Sequence, residues 1–315
     1  MLNRRHLRIK VFQAIYSYFR GAKNDLSIGE RELLSSVNRI HELFVLHASV
    51  FIELRGFAYK RIQERKNKRL PSQEDLNPNL RFVENEVLKA LSNSLSLQKK
   101  VEEYKISWNN HGDVIQKLFK SIEDSDTYGK YMSGESLDLE QEKSFLIKIY
   151  REFIADNEIL QDFFEERSIH WSDDHYFVCG YIVKYLKGFQ SRFFQNFRPP
   201  ELFKDVDDDI EFIQTLYRYT LLNSSAYQDI IMDKAKNWEA DRIAVVDFIL
   251  MKMAVCELVK IPSVPVKVTL NEYIELSKTY STPKSRVFIN GILDKIVPDL
   301  KQKGEIKKIG RGLMS

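Results

Sequence analysis

Arg4, Arg5, Arg8, Lys10, Arg20 and Lys23 crowd the start of the chain with no carboxylate among them. Cationic groups at that density suit a polyanion, and the planar fork of arginine matches phosphate and base edges alike. Leu7, Val11, Ala14, Ile15 and Tyr18 recur at the spacing of one helix face, with Phe12 in the same row. The charges are therefore expected to ride on an amphipathic helix. Arg4 and Arg8 stand one turn apart, where like charges cost a helix roughly 0.2–0.5 kcal/mol that a bound anion would relieve.

Other residue types offer less. His170, Asp173, Asp174 and His175 come nearest to a metal cluster. Two histidines five apart on a helix point roughly 140° from each other, and here they straddle a turn, so no metal is expected from this spacing. Cys179 and Cys256 are too few and too far apart for a disulfide framework or a Cys-x-x-Cys site. They fall in apolar helices, as buried inert thiols do, and fit a reducing cytoplasm. The sequence holds no glycine-rich phosphate loop, no His-Glu-x-x-His and no Gly-x-Ser-x-Gly, and no carboxylate pair stands out by context. A binding protein without a cofactor is the expectation, not an enzyme.

Net charge is only +3 over 315 residues, so a nucleic-acid surface must come from local clusters. Lys60, Arg61, Arg65, Lys66, Lys68 and Arg69 surround Glu64 alone, and the tail carries Lys301, Lys303, Lys307, Lys308 and Arg311. Asp205, Asp207, Asp208, Asp209 and Glu211 form an acidic counterpart. A composition of 43% apolar and 30% charged residues supports one large or two ordinary folded domains. Arg4-Arg5 before Leu7 is faintly like a twin-arginine export signal, but Gln13 and Ser17 interrupt the apolar run and no small-residue cleavage site follows. The apolar stretch 243–259 contains Asp247, Lys252 and Glu257, so it reads as a core helix and not a membrane span.

The elements that position these residues are helices. Glycine and proline are sparse, and apolar residues recur at three and four with almost no alternation, which predicts an all-α protein. Helices are expected over about 4–20, 28–66, 79–105, 112–122, 138–166, 172–195, 206–236, 240–260, 269–280 and 283–297. Thr269 with Glu272 fits a capping box, Thr282 is placed to cap with Pro283 at the first helical position, and Pro298 is placed to end the last helix. A shift of 67 residues superposes Phe145, Tyr150, Arg151, Gln161, Trp171, Val178 and Ile182 on Phe212, Tyr217, Arg218, Gln228, Trp238, Val245 and Ile249. Such a repeat suggests a duplicated helical hairpin.

The opening run Arg4-Arg5-His6-Leu7-Arg8-Ile9-Lys10-Val11-Phe12-Gln13-Ala14-Ile15-Tyr16 resembles the arginine-rich start of the NusB transcription antitermination family. Asp241 to Leu258, Val264 to Lys278 and Ser285 to Lys295 are similar to that family's C-terminal signature, in family order. The resemblance implies a NusB-like RNA-binding helical core made of residues 1–24 together with 203–300. Residues 25–202 then read as a large helical insertion, partly a repeat of the core hairpin, and 301–315 as a basic tail.

Function follows from the resemblance in the same way. It implies a cytoplasmic, non-enzymatic factor that binds a boxA-like single-stranded element of nascent ribosomal RNA. Its partners would be the ribosomal protein NusE and the RNA polymerase antitermination complex, with no membrane, and a homodimer is compatible with the sequence. By the same likeness Arg4, Arg5, His6, Arg8, Lys278, Ser285, Phe288 and Asn290 would contact RNA, and Asp247 would face the protein partner. His6 stands where another arginine is usual, Phe288 lines up with Ile292 and Ile296 as a core position would, and Gly291 is expected to permit close helix packing. Two other readings remain at this stage. An enzyme related to ribosomal RNA methyltransferases would need an α/β cofactor domain, for which no glycine-rich strand and helix pattern exists. A helical scaffold that has lost RNA binding would keep the fold alone.

Overall fold

The computed structural model describes residues 1–21, 25–134, 138–168, 171–190, 198–235 and 243–313, with backbone alone at 311 and 312. Lys23, His170, Trp238, Asp241 and Arg242 lie outside the described residues. The fold is all-α, with no strand among the described residues. In chain order the helices are α1 (Arg4–Arg20), α2 (Leu26–Lys66), α3 (Gln73–Leu76), α4 (Glu86–Asn93), α5 (Leu95–Glu103), α6 (Gly112–Glu123), α7 (Asp126–Ser133) and α8 (Leu139–Ile149). A π-helical segment, Tyr150–Ile154, leads into α9 (Glu158–Arg167) and α10 (His175–Lys187). The remainder is α11 (Val206–Leu222), α12 (Ser224–Lys234), α13 (Val245–Lys260), α14 (Val266–Tyr280) and α15 (Ser285–Gln302).

Two compact units share the chain, one made of residues 1–37 with 202–315 and the other of residues 38–201. In the first, α13 is the central helix and packs against α1, α11, α12, α14 and α15. Its Leu250, Met251, Met253, Ala254 and Val255 are wholly buried, and burying each larger side chain stabilises the unit by about 1.5–3 kcal/mol. Leu7, Val11 and Ile15 of α1 are equally enclosed, as their spacing predicts. The opening of α2 belongs here too: Leu33 and Val37 are buried, and Arg218 donates to both carboxylate oxygens of Glu30 at 2.6 and 2.7 Å. Gly29 lies so close to Tyr217 that a Cβ there would stand 2.1 Å from the Tyr217 hydroxyl oxygen.

The second unit is built on the rest of α2, whose Phe44, Leu46, Val50, Phe51 and Leu54 are buried along with Ile149, Tyr150, Ile154, Leu160 and Phe164. The indole N–H groups of two buried tryptophans in this core are matched: Trp108 donates to the Ser49 hydroxyl at 2.9 Å and Trp171 donates to the Arg39 carbonyl at 3.0 Å.

Several boundaries differ from the periodicity, each for a local reason. The helix expected over 79–105 is two, because Ser94 accepts from Leu97 N–H at 3.1 Å and starts α5. Breaks at the π segment and at Asn223 divide two more. α3 and α7 arise in stretches outside the expected helices, capped by Ser72 and Ser125. α14 begins at Val266, so Thr269 is an interior residue and not a cap. α15 begins at Ser285, where the Thr282 hydroxyl lies 2.9 Å from that of Ser285, and it runs through Pro298 because Ile296, Val297 and Leu300 remain buried beyond the lost N–H. Gly291 is exposed and a Cβ there would meet nothing within 4 Å, so it serves no close packing. Starting residues recur at the 67-residue shift: Leu139 opens α8 where Val206 opens α11, and Arg167 closes α9 where Lys234 closes α12.

Candidate nucleic-acid interface

Three charged side chains interrupt the apolar run of α13, and each finds a polar partner inside the first unit. Asp247, 5% exposed, accepts from the Ser281 hydroxyl at 2.5 Å. Lys252 donates to the Ser224 hydroxyl at 2.9 Å and to the Gln228 carbonyl oxygen at 3.0 Å. Glu257, wholly buried, receives Arg8 from α1 in a bidentate pair at 2.7 and 2.8 Å. Its remaining lone pairs take the Thr269 hydroxyl at 2.8 Å and the Tyr273 hydroxyl at 3.1 Å. Burial alone would lower the pKa of Arg8, but the charge and hydrogen bonds of Glu257 outweigh it, and the guanidinium is held above its ordinary value. A buried charge is tolerable only with this kind of complete partnership.

Arg8 therefore departs from the expected basic surface. It is 1% exposed and bolts α1 onto α13, because it sits three and four residues before Val11 and Phe12 on the buried face. Asp247, expected to face a protein partner, instead has an intramolecular partner and little exposed surface. The repulsion anticipated between Arg4 and Arg8 is offset by internal carboxylates.

Arg4, Arg5 and His6 make up the first turn of α1, which Asn3 caps by accepting from His6 N–H at 3.1 Å. No acidic residue occupies that turn, although the helix dipole leaves a partial positive charge there. Arg4 pairs with Asp208 at the start of α11, lies 3.4 Å from Asp209 and stacks over the Phe212 ring at 4.2 Å. Arg5 forms a bidentate pair with Glu272 at 2.8 and 2.9 Å. The hydrogen bond from Arg5 is the largest influence holding Glu272 below the usual carboxylate range, and the same bond raises Arg5. Burial, helped by the neighbouring Arg5 charge, drives His6 down to about 4, so it is neutral at physiological pH.

These groups border a cavity of about 800 Å³ whose polar side is Arg4, Arg5, Arg8, Asp208 and Glu272 and whose apolar side is Val264, Pro265, Val268 and Ile309. The chain end folds back to complete it: Ile309 N–H donates to the Pro262 carbonyl at 3.1 Å, and Lys308 donates to the carbonyls of Glu257 and Ile261 at 3.2 and 2.9 Å. Lys308 thus caps the C-terminal end of α13. Tail composition signalled only charge, and its return to the domain was missed for want of an apolar periodicity.

Lys278, Ser285, Phe288 and Asn290 do not line this cavity. They lie around the junction of α14 and α15, where Lys278 pairs with Glu275, Ser285 is buried beside Ser281, and Asn290 donates to Asp294 at 2.9 Å. Phe288 is half-buried, while its neighbour Ile289 takes the fully enclosed position.

Residues 189–298 match the family described as NusB family. This region is a NusB family domain. A transcription antitermination protein NusB from Salinibacter ruber is 45% identical over 104 residues, which is 33% of this chain and 65% of the relative. Proteins of the same name from Chloroherpeton thalassium and Geotalea daltonii are 41% identical over 114 residues and 42% over 92, covering 54% and 63% of their lengths. The chain thus covers less than two thirds of the length of each of these relatives. No solved structure matches it. The matched region holds α11 to α14 and most of α15, whereas α1, which packs on α11 and α13 of this NusB domain, lies outside it.

Proposed function

We propose that the chain is a transcription antitermination factor that binds a boxA-like element of nascent ribosomal RNA together with NusE and acts on RNA polymerase without catalysis. The observation that carries this reading is the first turn of α1: two partly exposed arginines on a dipole-positive helix end, set in the unit that contains the NusB domain. Helix N-termini and guanidinium forks both favour phosphate. RNA would displace Asp208 and Glu272 from Arg4 and Arg5 and seat nucleotides against the adjoining cavity.

Residues 1–24 with 203–300 would then be the RNA-binding core, 25–202 an insertion and 301–315 a tail. Lys278, Phe288 and Asn290 would extend the contact along the α14–α15 junction, with Ser285 supporting the turn beneath them. Arg8 and His6 would hold the site rather than neutralise phosphate, and Asp247 would brace Ser281 at the edge that NusE approaches.

The test is the salt dependence of affinity for a boxA-like RNA, with and without NusE, for the native chain and for Arg4→Ala and Arg5→Ala. Each lost phosphate contact should flatten the log–log slope by about 0.7. An unchanged slope in both variants would identify a helical scaffold that has given up RNA.

A further inference from the structure

Within the second unit, α2 and α10 bring His47, His175 and Cys179 together, all buried, with one donor atom of each within 4.8 Å of the others. His47 is fully enclosed: its Nδ1 lies 2.9 Å from the Tyr150 hydroxyl, and its Nε2 is buried with no hydrogen-bond partner. Folded proteins rarely leave such an atom without an occupant. His175 and Cys179 are one turn apart on one face of α10, with Nε2 and Sγ separated by 3.5 Å. A cavity of about 140 Å³, bounded by Gln161, Phe164, Trp171 and His175, adjoins the cluster on its His175 side and is large enough for water. Tyr150 opens the π-helical segment, a form found mostly as single turns and often at functional sites.

We infer that His47, His175 and Cys179 bind one zinc ion, with water from the adjoining cavity as the fourth ligand. Two imidazoles and a thiolate are the donor set that tetrahedral zinc accepts. Its bond lengths call for donor separations of about 3.3–3.6 Å, which Cys179 and His175 already meet; His47 closes the remainder by side-chain rotation.

Ligation through Nε2 of His47 requires Nδ1–H to donate to the Tyr150 oxygen, so Tyr150 sets the tautomer and aims the ring. His175 offers Nε2, which otherwise donates to the Ala155 carbonyl at 2.7 Å; that bond holds the imidazole when no ion is present. Cys179 binds as thiolate, releasing one proton to solvent as the S–Zn bond forms. Because the ligand is the thiolate and its proton is released on binding, affinity should strengthen as pH rises.

The experiment measures zinc in the full-length protein after chelator treatment and dialysis against Zn²⁺, and the optical spectrum with Co²⁺ in its place. About one ion per chain is expected, with a thiolate-to-cobalt charge-transfer band. Cys179→Ser and His47→Phe should lose the ion, the latter keeping an aromatic ring between Tyr150 and Phe164, while Tyr150→Phe should weaken zinc binding by roughly 10–100-fold. Circular dichroism checks that each variant folds. No uptake by the native chain, a cobalt complex without the sulfur band, or full zinc retention by the folded Cys179→Ser chain would each overturn the assignment.

Discussion

Arg8 and Glu257, 249 positions apart in sequence, meet in a wholly buried bidentate pair that Thr269 and Tyr273 complete. Removing one member strands the other, so Arg8→Ala should destabilise the protein by about 3–5 kcal/mol. Arg8→Met combined with Glu257→Met should recover most of that loss. Chemical denaturation of the single and double variants checks the cycle; strict additivity would mean the two charges do not stabilise each other.

Arg5 and Glu272 form a pair of the opposite kind, with the arginine side chain 47% exposed. Such pairs contribute about 0–1 kcal/mol, so Glu272→Gln should leave the melting temperature within a few degrees. If phosphate competes with this carboxylate, the same change should tighten RNA binding several-fold, a shift of about 1 kcal/mol. Isothermal titration with a boxA-like RNA measures it.

His6 gives the NusB-containing unit an acid sensitivity with a defined sign. Its pKa is about 4 when folded and 6.5 when unfolded, so between those values the unfolded chain binds more protons and stability falls as pH drops. His6→Gln should flatten the stability profile between pH 6.5 and 4 while leaving the salt slope of RNA binding at pH 7 unchanged, because the neutral imidazole adds no charge there. Denaturation midpoints across that range test it.

Gly29 and Tyr217 provide a packing test. Tyr217 is fully buried, so a methyl at position 29 cannot displace its ring easily, and Gly29→Ala should cost about 1–3 kcal/mol. The Tyr217 hydroxyl has no hydrogen-bond partner among the described residues, so Tyr217→Phe should be nearly neutral and should rescue Gly29→Ala. A cycle of thermal melts reads both effects.

The helical class and the span of α1 were legible because Leu7, Val11 and Ile15 keep a strict period. Arg8 was misplaced although the signal was present: an arginine inside an apolar row, and a glutamate inside the apolar row of α13, are opposite charges that need each other. Thr269 with Glu272 carried the letters of a capping box, but Pro265 starts the helix a turn earlier, and the two side chains go to Glu257 and Arg5. The His47 cluster was invisible for another reason. Periodicity places His175 and Cys179 on one face, yet nothing local to either predicts a partner 128 or more residues upstream; only the packing of the second unit supplies it.

The distance between Arg8 and Glu257 along the chain also sets an order of events during synthesis. Translation at 5–20 residues per second separates their emergence by roughly 12–50 seconds, and throughout that interval α1 has no α13 to lean on. Residues 38–201 are complete well before then and can fold first. Among these helices α1 is thus secured late although it emerges early, and a chaperone or protease that samples exposed Leu7, Val11 and Ile15 has its widest opportunity before the ribosome has made α13.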